Sequence, residues 1–173
     1  TDRSAHNIYI SNVDHGFNIA LANQIPAVHI LGSSKSNGAF RSYSLADPVT
    51  LDTSYAKSRS TRNDYTHDAA SLIVDDARAL TDCAQTNDSG CLIFLDFNED
   101  SLRIWDHSDT NNAIELAQGT YPNAEYTHSG WWSEDKQFVI VHDELDEQRR
   151  GLNTTLNIFD ISSLNSPTLV GTW

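Results

Sequence analysis

Methionine is absent from the 173 residues, and basic side chains are scarce, with 11 Lys and Arg against 24 Asp and Glu. The resulting formal charge of −13 repels phosphate backbones and anionic headgroups, which sets aside nucleic acid and membrane surfaces as partners. The same charge suits cation binding, or simple solubility in a salty exterior. No run of about 18 apolar residues is present to span a bilayer, and no basic-then-apolar signal segment opens the chain. No membrane insertion is therefore expected of this segment. The missing methionine, initiator included, leads us to expect a mature product or a piece of a longer protein. Helical propensity is also thin: only Asp75–Leu80 carries much of it, enough for one turn in a loop. With 39% hydrophobic residues the chain still has the material of a globular core, which excludes disorder.

Cysteine occurs twice, at Cys83 and Cys91, on either side of a polar, turn-rich stretch. A disulfide closing this small loop in an oxidising compartment is the expectation, with two free thiols as the alternative. Neither cysteine belongs to a Cys-x-x-Cys pair, which argues against zinc there.

What the sequence does hold is a repeat. Tyr65-Thr66-His67 returns 61 residues later as Tyr126-Thr127-His128, and the same step backward from His67 reaches His6. Each unit then carries an alternating strand: Phe40–Tyr43, Leu102–Asp106 and Leu156–Asp160. Each ends in an aromatic residue: Tyr55, Tyr121 and Trp173. Continuous apolar runs, Cys91–Leu95 and Phe138–Val141, fit strands covered on both faces, and Phe17–Leu21 is read as their counterpart in the first unit. These features predict an all-β chain of three four-stranded antiparallel repeats, a partial β-propeller spanning 1–173 with blades at about 5–55, 65–121 and 126–173. A β-sandwich is the competing architecture.

The motifs His6-Asn7-Ile8-Tyr9-Ile10, Tyr65–Ala69, Phe97–Asp100, Tyr126–Trp131 and His142–Glu147 resemble the choice-of-anchor B family of LVIVD-repeat propellers. Ile158–Ser162 followed by Asn165-Ser166-Pro167 belongs to the same pattern, so the resemblance runs from His6 to Trp173. It implies an extracellular or cell-surface propeller, carried on a longer chain with a separate anchor, and it implies no reaction. Three blades do not close a ring, so the outer faces of the first and last are expected to be bare. The expected cover is the remainder of the same polypeptide or a second copy, and head-to-tail association into fibres is a further outcome.

Candidate chemistry falls in two places. His6, His67 and His128 share one register, start the innermost strands and so converge on the axis, where imidazoles hold zinc or another transition metal. Asp143, Glu144, Asp146 and Glu147 crowd one loop and suit calcium. The segment Asp96–Asp100 opens like an EF-hand, yet Ser101 stands in the glycine place and His107 in the bidentate glutamate place, so a tight hairpin turn is expected. Asn87 and Asn153 head glycosylation sequons, and Trp131 or Trp132 offers one face for carbohydrate stacking. Without a nucleophile or oxyanion arrangement, the leading expectation is a non-enzymatic, calcium-stabilised structural or binding module. A metal-dependent hydrolase built on the axial histidines is second.

Overall fold

The computed structural model describes residues 3–17, 19–21, 24–50, 53–56, 64–85, 89–109 and 111–173, with 53–56 as backbone. Its strands form three four-stranded antiparallel sheets and one small hairpin. The first sheet comprises β1 (Asn7–Ser11), β4 (Ala27–Leu31), β5 (Arg41–Ser44) and β6 (Thr53–Ala56), in that order. Between β1 and β4, the hairpin pairs β2 (Val13–Asp14) with β3 (Ile19–Ala20). The second sheet takes β7 (Asp68–Val74), β8 (Cys91–Phe97), β9 (Leu102–Asp106) and β10 (Ile114–Gly119), and the third β11 (Thr127–Trp132), β12 (Phe138–Asp143), β13 (Leu156–Asp160) and β14 (Thr168–Thr172). Among the described residues, two short α-helices, α1 (Arg78–Thr81) and α2 (Asp146–Arg150), and a 3-10 turn at Ser34–Ser36 sit in connections. The first is the single turn expected near Asp75–Leu80.

One strand departs from expectation. The second strand of the first unit is Ala27–Leu31, which pairs with both β1 and β5, and not Phe17–Leu21. Phe17 and Ile19 are solvent-exposed, whereas Ala27, His29 and Leu31 alternate inward. A buried histidine at the central inward position interrupts the apolar pattern by which such a strand is recognised.

The middle sheet is covered on both faces. Phe94 and Trp105 pack with Leu31 and Phe40 of the first unit, while Ile93, Leu95, Phe97 and Ile104 pack with Val139, Val141 and Phe159 of the third. This is why Cys91–Phe97 reads as an unbroken apolar run. Each such side chain contributes about 1.5–3 kcal/mol of burial. The third sheet comes in close because Gly130 has no side chain. A Cβ there would stand 2.7 Å from Phe97 Cε1 and 2.5 Å from the Ile140 carbonyl.

Polar clips join the second and third units. The guanidinium of buried Arg78 grips the Asp76 carboxylate and donates to the carbonyls of Lys136 and Ile161, both at 2.8 Å. Beside it, Asp82 accepts the Leu164 amide at 2.7 Å. The first strands of the three sheets touch in turn, β1 against β7 and β7 against β11. Tyr9 Oη lies 3.0 Å from Ser71 Oγ on one side, and Trp132 Nε1 donates to Ser71 O at 2.9 Å on the other.

Cys83 and Cys91 form the expected disulfide, tying the segment after α1 to the start of β8. Closing a loop of 8 residues removes chain entropy from the unfolded state worth about 2–3 kcal/mol. Reductant should therefore lower the urea midpoint of the parent to that of the Cys83→Ala/Cys91→Ala double variant and leave the variant unmoved. A parent insensitive to reductant would show that the pair does not form.

Candidate metal centre at the inner strand ends

The three register-related histidines stand in a row. His6 and His67 each precede the first strand of a sheet, held by the His6 amide on Leu31 O (2.8 Å) and the His67 amide on Phe97 O (2.9 Å). His128 lies within β11, where the pairing register with β12 slips between Thr127 and Ser129. Such a bulge re-aims a side chain out of the regular alternation. The ring centroids of His6 and His67 are 3.9 Å apart, and those of His67 and His128 are 4.5 Å apart. Gly32, at φ 59°, makes room at the first position: a Cβ would strike His6 Cβ at 2.7 Å.

His67 is buried, and its Nδ1 faces the His128 carbonyl oxygen at 3.1 Å. A carbonyl only accepts, so Nδ1 carries the proton and Nε2 keeps its lone pair. Burial, followed by the neighbouring His6, lowers the His67 pKa below the ordinary histidine value, which favours the neutral, ligating form. His128 Nε2 lies 3.7 Å from Glu144 Oε2, and its Nδ1 is 3.4 Å from His142 Nδ1. His67, His128 and Glu144 each offer one ligand atom, and these three atoms lie within 4.8 Å of one another. Two imidazoles and a carboxylate suit zinc and other first-row transition metals. His6 is the ring neighbour of this trio, and Glu144 is the member that its histidine register did not reveal.

The other acidic residues of the run are dispersed onto separate donors. Asp143, 1% exposed, accepts the Tyr121 hydroxyl (2.9 Å) and the amides of Glu125 (2.8 Å), Tyr126 (3.1 Å) and Leu145 (3.0 Å). Asp146 accepts the Thr155 amide at 2.8 Å and its hydroxyl at 2.5 Å, and Glu147 accepts the Thr154 hydroxyl at 2.8 Å. Among the described residues, no three of these four carboxylates gather as a group. The segment after Asp96 forms the expected turn, with Asn98 Oδ1 accepting the Ser101 amide at 2.8 Å. Asn153 lies in an exposed loop, and Asn87 falls outside the described residues.

A second polar array went unread in the sequence. His29, wholly buried, bridges Ser42 Oγ (Nδ1, 2.9 Å) and Ser11 Oγ (Nε2, 2.8 Å), and Ser42 Oγ continues to His107 Nε2 at 2.9 Å. Burial lowers the pKa of both histidines, well below the ordinary value for His29. This chain of neutral rings and hydroxyls pins the first sheet to the second.

Among the described residues, no helix is long and apolar enough to cross a membrane. No protein-family model matches the chain, and no curated protein matches it either.

Proposed function

We propose that the chain is a non-enzymatic β-propeller module of the LVIVD-repeat, choice-of-anchor B type, acting outside the cell as a metal-stabilised binding unit. The observation that carries this reading is the convergence of His67, His128 and Glu144 from successive units onto one point. A metal held there joins the second inner strand to the third, so coordination adds directly to the cohesion of neighbouring blades. The disulfide is compatible with an oxidising, extracellular setting. The histidine-rich donor set favours zinc over calcium, which prefers six to eight oxygens.

The exposed large apolar residues of the described chain fall mainly in the first and third units, among them Ile8, Phe17 and Ile19, and Ile140, Val170 and Trp173. In this reading further blades cover them, from the same polypeptide or from a second copy.

Calorimetric titration of metal-free protein with Zn²⁺, Ni²⁺ and Ca²⁺ tests the proposal. Stoichiometric Zn²⁺ binding with a rise in melting temperature is expected, weakened at least about tenfold by His128→Ala or Glu144→Gln, each checked for folding by circular dichroism. Binding by Ca²⁺ alone, or Zn²⁺ binding indifferent to both substitutions, would reject it. A metal-dependent hydrolysis lost in those variants would replace the non-enzymatic reading with the hydrolase one.

A further inference from the structure

Away from the histidines, the β2–β3 hairpin region, β7 and β11 enclose a cleft of about 360 Å³. Its wall includes Asn12, Asp14, His15, Trp131, Trp132 and Lys136. Adjacent residues of a strand normally point to opposite faces, yet the rings of Trp131 and Trp132 stack with centroids 5.8 Å apart and planes 19° from parallel. Trp132 is anchored by its bond to Ser71 O, which leaves Trp131, 45% exposed, as the accessible indole of a fixed pair. The His15 ring stands edge-on to Trp131 at 6.0 Å.

The polar groups point to what lies on that indole. Asn12 is buried to 6% exposure and held at φ 60°, a backbone conformation asparagine adopts more readily than most residues. Its Nδ2 donates to Ile25 O at 2.9 Å, while its Oδ1 has no donor. The bond to Ile25 fixes the turn into the hairpin on one side of the cleft, and the Oδ1 atom is sealed from solvent. Asp14 Oδ1 accepts the amides of Gly16 (2.8 Å) and Phe17 (3.1 Å), so the loop that carries His15 is fixed before any ligand arrives. The Lys136 ammonium, 3.0 Å from Asp75 Oδ1, supplies a donor at the wall.

A flat apolar face rimmed by the Asp14 carboxylate, the His15 ring and the Lys136 ammonium matches a pyranose, which presents C–H bonds on one side of its ring and hydroxyls around its edge. The volume is at the small end for ligand sites, which suits one ring with a substituent rather than a long chain. The net charge of −13 disfavours an acidic sugar. We infer that this cleft binds a single neutral pyranose unit of a glycan, stacked on Trp131 with its hydroxyls toward the rim formed by Asp14, His15 and Lys136. The site is independent of the metal centre.

Saturation-transfer NMR with methyl β-glucopyranoside, methyl β-galactopyranoside, methyl α-mannopyranoside and N-acetylglucosamine tests it, with choline as a cation control. At least one glycoside is expected to receive saturation on the C–H protons of one ring face. Trp131→Ala should weaken that binding by about tenfold or more, Trp131→Phe should retain part of it, and Trp173→Ala should leave it unchanged. An amide correlation spectrum of each variant confirms its fold. Transfer to none of the four glycosides, transfer that survives Trp131→Ala, or binding of choline in their place overturns the inference.

Discussion

Asp143→Ala is expected to lower the unfolding free energy by about 3–5 kcal/mol, among the largest losses available to a single substitution outside the apolar core. The carboxylate is 1% exposed and collects the Tyr121 hydroxyl together with three backbone amides from the loops flanking β11 and β12. Alanine strands all four donors in a site closed to water. Burial opposes ionisation of Asp143, but the Glu125 and Tyr126 amides, the Tyr121 hydroxyl and the Leu145 amide outweigh it, so its pKa falls below the ordinary 3.8. A depressed carboxylate stabilises the fold above the unfolded-state pKa and loses that contribution as pH drops through the folded one. Urea denaturation between pH 7 and pH 3 should show the parent weakening in acid below about pH 4, with that share of the dependence missing from the alanine variant. Asp143→Asn, which keeps one acceptor oxygen, should fall between the two. Equal stability of parent and alanine variant at pH 7 would mean that water satisfies these donors.

Asp96→Asn is expected to act in the opposite direction. Asp96 is 3% exposed on β8, opposite Arg103 of β9, and burial raises its pKa to about 7 against the pull of Arg103 and the Thr66 and Trp105 side chains, with Glu115 adding to the rise. A raised carboxylate leaves the fold unburdened below the unfolded value of 3.8 and weakens it progressively as pH climbs to about 7. At 1.36 kcal/mol per pH unit, the full penalty above that range is about 4 kcal/mol. Arg103 keeps Asp64 at 2.8 Å and Glu115 at 3.5 Å when Asp96 is neutralised. The asparagine variant should thus be more stable than the parent by about 2–4 kcal/mol at pH 8.5 and nearly equal to it at pH 4. Because His29 and His107 have lowered pKa values, they weaken the fold as pH falls below 6.5, so the difference between variant and parent is the informative quantity. A difference that does not change with pH would place the titration of Asp96 outside this window.

The parts legible in the sequence are those whose cause is local. Leu102–Asp106 and Leu156–Asp160 alternate in sequence and are strands with those bounds, and the apolar run around Phe94 is a strand buried on both faces. The run around Val139 is a strand buried on one face only, with Ile140 exposed on the other because the third sheet has no neighbour there among the described residues. The Tyr-Thr-His copy located the histidine row because one offset separates its members. What escaped depends on partners far along the chain. Ala27–Leu31 hides behind His29, whose hydroxyl partners are 13 and 18 residues away. Glu144 looked like one of several loop carboxylates, and only the bulge at His128 brings an imidazole to it. Asn12 and the Trp131–Trp132 stack are likewise made by backbone geometry that no period reports.

The hydrogen bonds between neighbouring units carry a consequence for how the copies can change. Asn7 meets Asp68, His67 meets the carbonyl of His128, the Ser71 carbonyl meets Trp132, and Asp75 meets Lys136, each pair 61 residues apart. Every one of these positions is therefore touched by its own duplicate. A tandem array of identical copies would set carboxylate against carboxylate where Asp75 now meets Lys136, a direct repulsion. Divergence at that rung is thus a condition of stacking, not a loss of signal, whereas His67 and His128 stay identical because the acceptor there is a backbone carbonyl. Substitutions at the side chain pairs, Asn7 with Asp68 and Asp75 with Lys136, are constrained to arise in complementary pairs, and a one-residue insertion between two rungs would unmatch every pair beyond it.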